Sequence, residues 1–71
     1  MPLIQLNVFE GELTPDQTKE VIRRVTEVIT TVVSPKLREF TWVVLHEVKS
    51  GNWGVGGAPL GLEDIKRVIG S

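Results

Sequence analysis

The chain has no cysteine and no tyrosine, and it has a single histidine and a single methionine. Without cysteine no disulfide can brace the fold, and one histidine without thiols makes no structural zinc site. Charge of one sign is also missing: eight Lys and Arg against nine Asp and Glu leave a net charge of −1. That excludes the broad basic field needed to hold nucleic acid or an anionic membrane surface. There is no secretory leader pattern and no apolar run approaching about 18 residues. Neither export nor a membrane span is expected, and the cytoplasm is the expected location. What remains is one expected domain over residues 1–71, 41% hydrophobic. A monomer of this length hides only about 60% of its chain surface and is marginal unaided. So much apolar content exceeds what a small interior can take, and the surplus is expected in an interface between subunits.

Residues 3–9 alternate. Ile4, Leu6 and Val8 point one way, as a face packed on a helix; Leu3, Gln5, Asn7 and Phe9 point the other. That second face is mixed and suits a subunit contact better than open water. Glu10-Gly11-Glu12 breaks the strand. Thr14 is then a good N-cap, Pro15 stands at the first helical position, Asp16 adds favourable negative charge, and Gln17 completes a capping box. A helix is expected from Pro15 to Val33, with Val21, Ile22, Val25, Val28, Ile29 and Val32 as its apolar stripe. Ser34-Pro35 ends it. After the short link Lys36-Leu37-Arg38-Glu39, the run Phe40–Val48 reads as a second strand, apolar on both faces and hence central and buried. Strand, helix and strand with such links make a βαβ unit with parallel strands and a right-handed crossover. The fold class is α/β (α+β in some schemes).

Four glycines fall within residues 51–57. They lack the Lys-Ser/Thr ending and following helix of a phosphate-binding loop. A short hairpin displaying Trp53 between glycines is the better reading. The tail Leu62–Ile69 is expected to form a short amphipathic helix, with Leu62, Ile65 and Ile69 on one side. His46 reads as an ordinary strand residue with no partner for catalysis.

The chemistry lies at the start. Once Met1 is removed, Pro2 becomes an N-terminal secondary amine, which no side chain can supply. Met1-Pro2, the strand end Phe9-Glu10-Gly11, the capped helix, Leu45-His46-Glu47 and Asn52-Trp53-Gly54-Val55-Gly56-Gly57 together resemble the 4-oxalocrotonate tautomerase family of the tautomerase superfamily. The likeness runs from Pro2 to about Gly57. It implies β-α-β subunits with a C-terminal hairpin, paired into dimers and assembled as a hexamer. It also implies a mechanism that calls for no cofactor or metal. Neutral Pro2 acts as general base, taking a proton beside a carbonyl and returning one elsewhere on the conjugated system. Such a base needs a pKa near the working pH, and apolar surroundings lower that of an amine. The implied substrates are small unsaturated dicarboxylates such as 2-hydroxymuconate, and Trp53 matches the aromatic wall of the site.

The chain departs from the family at two positions. Arginines there normally grip the substrate carboxylate, with a planar fork that suits bidentate binding. One follows the Glu-Gly of strand one, where this chain has Glu12. The other lies early in strand two, where it has Trp42, with Thr41 beside it. Arg38 is nearby but does not match the motif. A site with Pro2 as base and Trp53, Trp42 and Glu12 around the substrate therefore lacks cations of its own. The expectation is a heterohexamer in which a similar-sized paralogous subunit supplies the arginines; a homohexamer is the alternative assembly. Two alternatives stand beside it: a non-catalytic structural subunit, and a dehalogenase or hydratase on the same scaffold, with Glu12 orienting water.

Overall fold

A computed structural model describes residues 1–70; Ser71, the last residue of the expected domain, lies outside the described residues. Strand β1 (Leu3–Phe9) is followed by helix α1 (Pro15–Val32), a 3-10 helix (Pro35–Phe40) and strand β2 (Trp42–Val48). The short strands β3 (Trp53–Val55) and β4 (Ala58–Leu60) form a hairpin, and helix α2 (Leu62–Gly70) closes the described chain. β1 and β2 pair in parallel, in register from Leu3 opposite Trp42 to Phe9 opposite Val48. β3 and β4 pair antiparallel in a separate sheet. The βαβ unit, the hairpin and the short terminal helix thus stand as the sequence implied.

Local chemistry explains the boundaries. The Thr14 hydroxyl accepts the Gln17 N–H at 3.1 Å, and the Gln17 side chain accepts the Thr14 N–H at 2.9 Å, so the capping box is closed in both directions. α1 ends one residue sooner than expected, with Val33 as its C-cap and the Val33 N–H donated to Ile29 O. β2 starts two residues later than the strand-like composition of Phe40-Thr41 implies. Ser34 caps a 3-10 turn by accepting the Lys36 N–H at 3.2 Å. The Thr41 hydroxyl then donates to Leu37 O at 2.7 Å, which keeps Phe40 in that turn.

Ile4, Leu6 and Val8 are half-buried while Leu3, Gln5 and Asn7 are exposed, as the alternation predicts. Phe9 breaks the pattern: it belongs to the open face yet is buried. β2 is not central within one chain, because its sheet has only two strands and each has a free edge. Its first residue, Trp42, is 59% exposed. In α2, Leu62 and Ile65 are half-buried, but Ile69 is exposed rather than packed with them.

The chain is open for its length. Among the described residues only Phe9 and Thr30 are buried. The radius of gyration is 14.8 Å, where a compact chain of this length would have about 11 Å. Its accessible surface is 5462 Å², against roughly 4,400 Å² for a compact monomer of the same mass.

Candidate functional site

The sequence-derived candidates fall at two ends of the β1–β2 sheet. At the first end, Pro2 directly precedes β1 and is half-buried. Its carbonyl accepts the Trp42 backbone N–H at 2.9 Å, so the start of β1 is pinned to the start of β2. Proline suits this position, since a strand's first residue loses little by lacking an N–H. The Pro2 nitrogen is bonded to Met1, which is itself highly exposed. Trp42 and its register partner Leu3 are both exposed on the sheet face away from the half-buried Ile4 and Val43. Neither strand carries a lysine or arginine. Arg38 is exposed, and its backbone carbonyl accepts the Thr41 N–H at the end of the 3-10 helix. An amine released at Pro2 would therefore stand at the start of β1, on a backbone held to Trp42.

At the second end, β1 runs into the tight turn Glu10-Gly11-Glu12. Gly11 has φ +82°, a conformation that costs a residue with a side chain but not glycine. Glu12 folds back onto the strand: its carboxylate accepts the Phe9 N–H at 3.0 Å. The Glu12 N–H in turn donates to Phe9 O at 3.0 Å. From β2, Glu47 accepts the Gly11 N–H at 3.3 Å. Trp53, half-buried at the start of β3, lies on the Phe9 ring with centroids 5.1 Å apart and planes tilted by 37°.

Pro2 and Trp42 are thus brought together, and so are Glu12 and Trp53 by way of Phe9. The two pairs are not brought together. Six strand steps separate Leu3 from Phe9, a span of about 20 Å. No single copy of the chain can put Trp53 against an amine at Pro2. Phe9 and Glu47 stand in stretches that carry the family resemblance, but neither is among the site candidates read from the sequence. Phe9 is hidden there by its phase on the open face; its place just before Glu-Gly was the available signal.

Elsewhere the charges serve the helix. Glu20 is hydrogen-bonded by Arg23 and Arg24, which hold its carboxyl down from the ordinary 4.5 to about 2. A depression of about 380 Å³ lies on α1, lined by Arg24, Glu27, Val28, Thr31 and Val32, and includes none of the candidate residues. Among the described residues no cluster of three His, Asp or Glu could hold a metal ion. None of their helices is long and apolar enough to cross a membrane.

Comparison with known proteins accords with this fold. The family model described as tautomerase enzyme matches residues 2–63. "Probable tautomerase K2" of Dickeya dadantii is 32% identical over 57 residues, covering 80% of this chain and 84% of that protein. A protein of Listeria monocytogenes, also described as a "Probable tautomerase", is 40% identical over 58 residues, covering 80% of this chain and 90% of its own. Among solved structures, one from a study of the 4-oxalocrotonate tautomerase isozymes of Methylibium petroleiphilum superposes with a TM-score of 0.72 at 34% identity, covering 82% of this chain and 90% of that one. DmpI of Helicobacter pylori superposes with a TM-score of 0.73 at 28% identity, covering 82% and 94%.

Proposed function

The chain belongs to the tautomerase family, and we propose that it is a subunit of a 4-oxalocrotonate tautomerase-like isomerase in which Pro2, freed of Met1, is the general base. The observation that carries this reading is the position of Pro2. It opens β1 with its carbonyl held by Trp42 and an exposed methionine before it. Removing that methionine leaves a secondary amine fixed at a strand end, next to Leu3 and Trp42. Apolar neighbours disfavour the ammonium form and bring the amine toward the protonation state a base needs. The amine takes the hydroxyl proton of the enol. A proton then returns to the far end of the conjugated system, converting enol to ketone with no net redox change.

The separation of Pro2 and Trp53 supports an assembly of more than one copy. A site using both draws them from different copies, consistent with dimers built into a hexamer. Glu12 and Trp42 bring no positive charge, and an unsaturated dicarboxylate such as 2-hydroxymuconate needs some. We therefore place the carboxylate-binding arginines on a similar-sized paralogous subunit in a heterohexamer. Aromatic-compound degradation in the cytoplasm is the setting that such a substrate implies.

The test is ketonization of 2-hydroxymuconate by this chain alone, by the paralogous chain alone, and by the two refolded together. Intact mass is measured first, to establish that Met1 is gone. The mixture is expected to exceed the sum of its parts. Pro2→Ala in this chain is expected to lower kcat about a hundredfold or more, the usual contribution of a positioned base. A mixture that gains nothing overturns the partner reading. A Pro2→Ala mixture with full activity makes this chain a structural subunit.

A further inference from the structure

The turn at Glu12 resolves into something more specific than a lost arginine. In β1 successive N–H groups point to opposite edges. The Glu10 N–H goes to Val48 O on β2 at 2.8 Å. The Phe9 N–H therefore faces the free edge, where no strand receives it. Phe9 is also a buried side chain, 3% exposed, and a donor left unmet there is costly. Glu12 supplies the acceptor at 3.0 Å, and its own N–H returns to Phe9 O. Gly11, between them, is tied to β2 through Glu47. The ring so fixed is the one on which Trp53 rests.

We propose that Glu12 is a positioning residue for Trp53. It acts as a hydrogen-bond acceptor for the Phe9 backbone and not as a charge offered to substrate, to water or to an arginine of a partner. This rests on the reading of Trp53 as a wall of the site, and it deepens that reading: the Phe9–Glu12 turn sets where the wall stands. An arginine at this position has no acceptor, so the same change that removes the cation also secures the Phe9 turn.

The proposal separates acceptor from charge, and two variants do the same. Glu12→Gln keeps an oxygen at the same reach and removes the charge. Glu12→Met keeps the length and removes the acceptor. Each is made in the full chain carrying Trp42→Phe, so that Trp53 is the one tryptophan, and its emission and quenching by acrylamide are read. Each is also made in the natural background and assayed with the paralogous subunit. Glu12→Gln is expected to match the parent in Trp53 emission and in quenching, and to change KM less than Glu12→Met does. Glu12→Met is expected to shift the emission to the red and raise quenching. It should raise KM about tenfold, the loss of one such hydrogen bond, with kcat changed less. Glu12→Met leaving Trp53 unchanged overturns the proposal. So does Glu12→Gln losing activity while Trp53 is undisturbed, since that pattern belongs to a charge. If Glu12→Met does not fold, the Glu12→Gln arm decides alone. If the parent has no activity even with its partner, the proposed function has failed, and the Trp53 readings still judge Glu12.

Discussion

At the scale of single residues, the β1–α1 turn makes demands that ordinary composition hides. Gly11 sits at φ +82°, and a Cβ added there would lie 3.4 Å from a Leu62 methyl, an ordinary contact. Space is available, so the penalty of Gly11→Ala is the backbone conformation itself. We expect it to destabilise the protein by about 1–2 kcal/mol, read as a lower denaturant midpoint with the slope unchanged. Phe9→Ala should cost about 3–5 kcal/mol, because it empties the one well-buried apolar side chain among the described residues and takes away the surface under Trp53. Residue type drew attention to Pro2 and Trp53, and the family resemblance gave them roles; Glu12 and Trp42 stood out only because they occupy the positions where the family's arginines belong. The contacts were not legible. Period-2 alternation assigns Phe9 to the open face, and only the hairpin returning from β2 covers it there.

At the scale of elements, what could be read was set by local hydrogen bonding. The α1 start was plain because Thr14, Pro15 and Gln17 act on backbone groups within one turn. Thr14→Ala removes the oxygen that accepts the Gln17 N–H, and a loss of about 1 kcal/mol in urea unfolding is expected. The β2 start was not plain. Phe40 and Thr41 have strand-forming side chains, yet the Ser34 cap and the bond from Thr41 to Leu37 hold them in a turn. On the outer face of α1, Arg23 and Arg24 lower the Glu20 carboxyl to about 2. A depressed folded-state pKa contributes stability above the unfolded value and loses it as pH falls. The contribution is thus complete above 4.5 and fades toward 2. NMR titration of the Glu20 carboxyl should show protonation well below that of a free glutamate. Added salt should move it back upward, because the pair is open to solvent. A thermal-midpoint gap between the parent and Glu20→Gln should accordingly narrow as the pH is taken down through that window.

At the scale of the whole molecule, the apolar surplus noticed in composition meets a definite shape. The surface of 5462 Å² exceeds that of a compact monomer by about 1,000 Å². That excess is comparable with the area one partner gives to a standard interface, about 800 Å². The exposed apolar side chains lie in separate places: Leu3 and Trp42 on the open sheet face, Val28 and Val32 on α1, Val68 and Ile69 on α2. One partner copy would not readily cover all three, whereas a closed assembly of several can. The stability of such a chain is then bound to its concentration, because unfolding also separates the subunits. Urea unfolding followed over a hundredfold range of protein concentration should give midpoints that rise with concentration, and sedimentation should find no folded monomer at micromolar levels. A midpoint independent of concentration, with a folded monomer in the ultracentrifuge, would mean that one chain suffices. It would then leave Trp53 about 20 Å from Pro2 with no second copy to bring them together.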